Sequence, residues 1–454
     1  MLSFDSHTEK DKLNALIADA LDRVYHGKER KRCTLSGLPG AGKTELAASY
    51  AQNHLSAARY FSCRHLTAPD AKETFLHLFL PQEEAPDQWD EVFDRLLAEK
   101  FARVPVLFVD DFDFCADEAF SCGLKKLQNA RFVVIYIEEE NAEKSFRKES
   151  VEILPRAIWH FAKALPDAEA ADAARLWAIT GGLPAACKEV DAALSLEENL
   201  RRMLHFDSSL VTFFPSLLHR SIRAPESYYP ILSALAQGKH RISEIAKAAG
   251  YPNNKTDTYL KALIERHIVE VRKAENERSA AYHLTNSYFK FWMLYIYPNR
   301  ERLIANPEDV MQTVLQTIDK TLMLPCVHGA CKRYLQQFSY QNRMEESADI
   351  RWAATRFPQA FQPVSFTFKD GCKVKIDFIC KYRGVTYFAV FPRNAEQRFT
   401  KEDVERYYRV MRRYAPPFDT RLLLFGFHRF SDWCVKESAE TKSLYCIPVE
   451  RLKY

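Results

Sequence analysis

Eight consecutive residues, Gly37-Leu-Pro-Gly-Ala-Gly-Lys-Thr44, fit the pattern G-x-x-x-x-G-K-[ST] in full. The chemistry of that spacing is anion capture. Glycines let backbone N–H groups turn inward around phosphate oxygens, and a helix starting at the end of the loop adds its partial positive charge. Lys43 is then placed to reach the β- and γ-phosphates of a nucleotide, and the Thr44 hydroxyl to bind Mg²⁺. The expected binding set is Gly37, Leu38, Pro39, Gly40, Ala41, Gly42, Lys43, Thr44 and Glu45, with ATP and Mg²⁺ as cofactors. Such a loop needs a second, acidic strand, and Val104–Asp113 reads VPVLFVDDFD. Asp110 is the expected partner of the metal shell. Asp111 is the expected catalytic group, orienting the attacking water or taking its proton.

These residues need a scaffold that brings them together. Arg32–Ser36 reads as a short strand before the loop, and Thr44–Gln52 as a helix after it. Residues 1–155 alternate strands (Arg32–Ser36, Ala58–Cys63, Val104–Val109, Arg131–Ile137) with helices (Thr8–Tyr25, Ala71–Phe79, Asp87–Phe101). That alternation predicts a parallel sheet covered on both faces. Residues 156–225 read as helical, broken at Gly181-Gly-Leu-Pro184. Residues 226–297 carry a winged-helix pattern: helices at Tyr228–Ala236, Ile242–Ala249 and Asn254–His267, then a hairpin of Val269–Arg272 and Ala280–Leu284 around the tip Lys273–Ser279. Pro298–Pro307 reads as a linker. The last unit, 308–454, opens with a helix over Asp309–Leu335. It continues with strands near Pro363–Phe368, Lys373–Cys380, Val385–Phe391 and Arg421–Phe427, with a helix at Lys401–Tyr414.

Composition narrows the class. The chain has 454 residues, 47% hydrophobic and 27% charged, as expected for several folded domains in water. A net charge of +4 gives no global polyanion signature, and no apolar run approaches a membrane span. The opening MLSFDSHTEKDKL is too charged for a signal peptide. Eleven scattered cysteines lack zinc spacing, which fits a reducing cytoplasm.

With these motifs in order, the sequence resembles the archaeal-type ATPases, relatives of the AAA and STAND signalling NTPases. GLPGAGKT matches that family's Walker A loop, VLFVDDFDF resembles its Walker B strand, and Ile179-Thr-Gly-Gly-Leu-Pro184 is similar to its G-G-x-P turn. Leu154-Pro-Arg156 resembles its G-R element, and the stretch from Phe4 its opening motif. The resemblance implies an α/β fold: a P-loop NTPase parallel sheet with a helical lid, a winged helix, and an α+β restriction-endonuclease-like C-terminal domain of the PD-(D/E)XK type. It makes Arg156 a candidate to approach the γ-phosphate, in cis or from a neighbouring subunit, with His7 and Arg147 as further candidates.

Departures from the family pattern carry their own expectations. Asp111 replaces the usual glutamate, Asp113 stands where glutamine is common, and Ile137-Glu-Glu-Glu140 replaces a G-S first sensor. Misplacing an attacking water by about 1 Å can cost on the order of 100-fold in rate, so tight nucleotide binding with slow hydrolysis is expected. In the C-terminal unit, Lys375-Ile-Asp377 supplies the nuclease aspartate, but Val390 and Pro392 take the places of the E-x-K pair and His328 that of the helix glutamate. One carboxylate does not hold Mg²⁺, so no cutting is expected. In the winged helix, Lys255, Thr258, Tyr259 and Lys261 could face a DNA groove, with Arg272 and Lys273 on phosphate and Leu260, Leu263 and Ile264 in the core. Arg409, Arg412 and Arg413 leave nucleic-acid contact open in the last unit, where 18 basic residues stand against 11 acidic ones from residue 369 on. The expected activity is a regulatory or signalling switch. Its partners would be ATP/ADP, DNA through the winged helix, and a protein partner or second copies of the chain, with no membrane. The alternatives are a nucleotide-stabilised, non-enzymatic DNA-binding regulator and an active Mg²⁺-dependent nuclease.

Overall fold

The computed structural model describes residues 7–64, 66–112, 117–138, 148–272, 280–337, 363–369, 371, 373–382, 385–414 and 417–452. Strands β1 (Arg32–Gly37), β2 (Ala58–Ser62), β3 (Val106–Asp110), β4 (Val133–Ile137) and β5 (Lys148–Ile153) form one sheet in the order β2-β3-β4-β1-β5. Every pairing in it is parallel. Helices α1 (His7–Tyr25), α2 (Lys43–Asn53), α3 (Ala68–His77), α4 (Trp89–Ala98) and α5 (Glu118–Asn129) cover it. β3 and β4 read VLFVD and VVIYI and are buried throughout, because a parallel strand between helical layers has no wet face. Alternate residues divide between two cores. Phe108 and Ile135 pack with Leu13, Ile17, Ala47 and Ala51 on one face. Leu107, Val109 and Val134 pack with Phe75, Trp89, Phe93 and Phe120 on the other. This is a mixed α/β unit with a five-stranded parallel sheet, as the alternation of strands and helices in the sequence leads one to expect.

Sequence reading passes over β5, whose KESVEI lacks the continuous apolar run of β3 and β4. It is an edge strand of the sheet, paired with β1.

The second half begins with α6 (Ile158–Ala164), α7 (Ala170–Thr180), a 3₁₀ turn at Pro184–Ala186, α8 (Leu196–Met203) and α9 (Ser209–Ser221). Next come α10 (Tyr229–Ala236), α11 (Ile242–Ala249) and α12 (Asn253–Glu265), then the antiparallel pair β6 (Val269–Arg272) and β7 (Ala281–Leu284). The tip Lys273–Ser279 lies outside the described residues. The segment 298–307, expected as a linker, is helical: α13 (Ser287–Phe291), a π turn (Trp292–Ile296) and a 3₁₀ turn (Tyr297–Asn299) lead into α14 (Arg300–Ala305) and α15 (Pro307–Ile318). Pro307 sits at the first position of α15, where a missing N–H costs nothing. A second π turn (Asp319–Met323) and α16 (Leu324–Gln337) follow, where one unbroken helix was expected.

In the last unit β8 (Val364–Thr367) and β9 (Lys373–Ile376) form a hairpin. β10 (Phe378–Tyr382), β11 (Val385–Val390), β12 (Thr420–Gly426) and β13 (Leu444–Pro448) form a mixed sheet with α17 (Lys401–Met411) and α18 (Asp432–Glu440). The single strand expected over Lys373–Cys380 is therefore two, broken at Asp377. One continuous cluster of buried residues runs through this half. It joins Phe161 and Ile179, Phe214, Leu232 and Leu263, Phe289 and Trp292, Val310 and Leu335, and Phe391, Phe425, Val449 and Leu452. Arg175 of α7 clamps Asp319 with two hydrogen bonds of 2.7 Å. Among the described residues no helix is long and apolar enough to cross a membrane.

Candidate functional site

β1 ends where it must turn back into α2, and glycine makes that turn. Gly37, Gly40 and Gly42 all have positive φ (148°, 79° and 97°). A Cβ on Gly37 would stand 2.3 Å from the Ile153 carbonyl oxygen, and one on Gly40 would meet the Phe213 ring at 2.6 Å. The loop is thus fixed by close approach on both sides. Lys43, only 7% exposed, donates from Nζ to the carbonyls of Gly37 (2.8 Å) and Leu38 (3.1 Å). The ammonium is held over the cradle, where a phosphate would take over those bonds.

β3 lies two strands from β1, with β4 between them, and its carboxyl end faces the same edge. Asp110 is 7% exposed there, and its Oδ2 accepts from the Thr44 hydroxyl at 2.7 Å. The two groups expected on one cation are therefore in contact. Asp110 has two more donors: the Tyr60 hydroxyl on Oδ2 (2.8 Å) and the Asp111 backbone N–H on Oδ1 (2.9 Å). Burial and the neighbouring Asp110 push the Tyr60 phenol well above its ordinary range, so it stays a donor. Asp111 sits at φ 53°, in the left-handed region where a residue with a Cβ stores strain. Its Oδ2 accepts from the Ser62 hydroxyl at 2.9 Å. Tyr60 and Ser62 are two apart on β2, so they share a face, and each holds one of the paired aspartates. Sequence reading missed both. Their partners lie 50 and 49 residues away, and nothing local marks them.

A donor set of one hydroxyl and one buried carboxylate at 2.7 Å suits a hard, oxygen-loving cation that completes its shell with phosphate and water. The glycine cradle, the lysine and the start of α2 suit polyphosphate. The chain's residues fit the magnesium nucleotide expected of them.

Arg156 is elsewhere engaged. Its N–H donates to the Gly182 carbonyl (2.7 Å), its own carbonyl accepts from Trp177 Nε1 (2.9 Å), and Nη1 donates to Glu9 of α1 at 2.5 Å. Of the acidic run after β4, Glu138 turns back along the strand to Arg32, at the opposite end of β1 from the loop. Asp113, Glu139, Glu140 and Arg147 lie outside the described residues, as does the His7 side chain. The Gly-Gly-Leu-Pro turn touches the loop directly, with the Ala185 N–H donating to the Gly40 carbonyl at 3.3 Å. It also reaches the hairpin unit, since Asn286 Nδ2 donates to the Gly181 carbonyl at 2.9 Å.

The C-terminal aspartate has a different environment. Asp377 is 7% exposed and faces Arg393 in a two-pronged pair (2.9 and 2.5 Å), with the Phe391 N–H on Oδ2 at 2.8 Å. His328 Nε2 donates to the Pro392 carbonyl at 2.7 Å, and burial holds its ring below the usual histidine range. Among the described residues no group of three or more His, Cys, Asp or Glu is placed to hold a metal.

The expected DNA-facing side chains are spoken for locally. Lys255 Nζ lies 4.2 Å from the Tyr251 ring, Lys261 pairs with Asp257 (2.7 Å), and Arg272 Nε bonds Glu270 (2.8 Å). Tyr259 packs on Tyr228, and the Thr258 hydroxyl returns to the Asn254 carbonyl. Leu260 and Leu263 are fully buried, as expected of the core side of this helix. In the last unit Arg413 stacks on Phe366 at 4.0 Å, while Arg409 and Arg412 are exposed.

No family model matches the chain. Over 154 residues it is 26% identical to the uncharacterized protein MJECL04 of Methanocaldococcus jannaschii, a match covering 33% of this chain and 32% of that protein. The chain thus spans about a third of the curated relative it matches. A solved structure of Thermotoga maritima RuvB, described as a Holliday junction branch migration motor, is 16% identical, covers 61% of this chain and 92% of its own, and has a TM-score of 0.30. Drosophila ORC bound to AT-rich DNA and Cdc6 is 11% identical, covers 63% and 94%, and has a TM-score of 0.24.

Proposed function

We propose that this chain is an ATP-binding, slowly hydrolysing ATPase that works as a regulatory switch, built from a P-loop core, a helical lid, a winged helix and a degenerate PD-(D/E)XK-like domain, in the cytoplasm. The observation that carries the reading is the 2.7 Å contact between Thr44 and Asp110 beside a glycine cradle that buries Lys43. Lys43 would hold the β- and γ-phosphates, and residues 37–45 would wrap them with backbone N–H groups. A bound magnesium ion would supply charge neutralisation between phosphate oxygens. Thr44 and Asp110 would hold it, and Tyr60 would fix the Asp110 rotamer. Asp111 would orient the attacking water, but its carboxylate is turned to Ser62 and its side chain is one methylene shorter than glutamate. Slow turnover follows from that distance.

The state of the nucleotide would reach the second half through the Gly181–Ala185 turn, which bonds both Gly40 and Asn286. A nucleotide can drive such a change only by binding the two arrangements differently. The shared buried cluster favours motion of lid, hairpin unit and C-terminal sheet as one body against the P-loop sheet. The Arg156–Glu9 pair crosses that boundary and would be broken before Arg156 could approach a phosphate here or in a neighbouring copy.

Calorimetry with purified chain and magnesium ATP tests the reading. Binding in the micromolar range is expected, with loss of at least 100-fold in Lys43→Ala and turnover well below about 1 per second. Absence of binding to the unaltered chain would end the proposal. The DNA-binding regulator is the second reading, and the local pairing of Lys255, Lys261 and Arg272 weighs against it.

A further inference from the structure

β5 closes one side of the first sheet. Among the described residues it pairs with β1 and packs against α1, and no strand stands on its far side. The backbone N–H and C=O groups along such an edge have no ladder of their own. α1 runs antiparallel to the strand, tied by Arg23 to Glu149 (3.0 Å) at one end and by Glu9 to Arg156 (2.5 Å) at the other. Val151 and Ile153 fill the core beneath it with Leu13 and Ile17. Outside that roof lies a cleft of about 550 Å³, lined by Lys12, Leu16 and Asp19 of α1 and by Ser150, Glu152 and Leu154. Leu154 is 51% exposed there. The edge of β5 therefore borders open space.

The charge order along the strand fits a second copy of itself. Alternate residues of an edge strand direct their backbone groups outward, so two copies can pair antiparallel only in registers that set odd positions against odd and even against even. A register centred on Glu149 or on Glu152 sets a glutamate against itself. One centred on Val151 sets Ser150 against Glu152 and gives no opposite-charge pair. One centred on Ser150 sets position 148 against position 152, lysine opposite glutamate, on both sides of the centre. Opposite charges facing each other across an antiparallel pair stabilise it, and like charges destabilise it. The strand is thus self-complementary in one register and poorly matched in its neighbours.

We infer that β5 is a dimerisation edge, through which two copies of the chain join antiparallel about a two-fold axis at Ser150 into one continuous sheet. The contact is isologous and closes on itself, so assembly stops at two. The sheets of the two copies run in opposite directions, so their glycine loops open at opposite ends of the joined sheet. Each nucleotide site is then built from one chain, and the dimer stands or falls independently of what the loop binds.

The test is sedimentation velocity of the full chain across micromolar concentrations. It compares the unaltered protein with Lys148→Glu, Glu152→Lys and the double reversal, each checked for unchanged circular dichroism. The unaltered chain should form a dimer and nothing larger. Each single reversal sets like charges against each other twice, and should weaken the dimer roughly 10-fold, while the double reversal should restore it to within about threefold. An equimolar mixture of the two single variants should form a mixed dimer as tight as the unaltered one, because every facing pair is then lysine against glutamate. A chain that stays monomeric overturns the inference. So does a dimer that ignores the single reversals, or one that neither the double reversal nor the mixture rescues.

Discussion

Asp110 and Asp377 are alike in sequence dress and opposite in chemistry. Both are buried at the end of a strand, and each accepts a backbone N–H within 3 Å. The remaining partners of Asp110 are hydroxyls, from Thr44 and Tyr60. Those of Asp377 are the two arms of Arg393, with the Lys375 ammonium 3.9 Å away. A hydroxyl satisfies lone pairs without supplying a counter-charge, so on the nucleotide reading that role at Asp110 would be left to a cation. A guanidinium supplies one, so Asp377 carries its counter-ion permanently in the chain. On the nucleotide reading proposed above, the first site would load and unload a cation and the second would stay closed.

The largest effect should come from Asp110→Asn. Neutralising that carboxylate should reduce magnesium-dependent turnover at least 100-fold while nucleotide still binds in EDTA, measured by phosphate release and calorimetry. If magnesium dependence survives, the contrast with Asp377 fails. Next is Arg393→Ala, which leaves a buried carboxylate with only the half-exposed Lys375 ammonium 3.9 Å away. Breaking a fully buried pair costs about 3–5 kcal/mol. With Arg393 31% exposed, about 2–3 kcal/mol is expected in denaturant unfolding. Adding Asp377→Asn should recover most of it. Neither form should cut DNA with Mg²⁺, because one keeps a lone carboxylate without partner ligands and the other has none.

Tyr60→Phe sharpens the comparison more gently. Losing one of three donors should weaken magnesium-assisted nucleotide binding by about fivefold, roughly 1 kcal/mol. Acid gives a contrast away from both carboxylates. His283 on the hairpin is held neutral, its pKa lowered to about 4 by burial and then by Arg272, His240 and Lys290. The unfolded chain takes up that proton near pH 6.5, so stability should fall as pH drops from 6.5 towards 4. His283→Gln should flatten that part of the melting profile. The smallest effect is expected for Lys255→Ala with Arg272→Ala. A DNA affinity change under about threefold would agree with side chains already paired at home, whereas a steep, salt-dependent loss would restore the DNA reading.

The legible part of the site is the part written contiguously. Gly37 to Glu45 and the Asp110–Asp111 pair can be read because backbone turns and strand ends impose spacing along the chain. Tyr60 and Ser62 could not be read, because what places them is the pairing of β2 with β3. The fold shows the same division. β3 and β4 announce themselves as apolar runs, while the edge strand β5, reading KESVEI, does not. The prolines of 298–307 suggested a linker, yet Pro298 and Pro307 occupy first-turn positions of helical segments. The break at Asp377 followed from a carboxylate turned inward to meet Arg393, a residue 16 positions further on.

The 3₁₀ turn at Val449–Arg451 lies against α6, the helix that follows Arg156, with Val449 and Leu452 sealed inside the large cluster. On the switch reading proposed above, a tilt of α6 would carry the elements that share this cluster along with it. A swing of that size reorganises shape rather than trimming a flap, and small-angle scattering would register it as a changed radius of gyration.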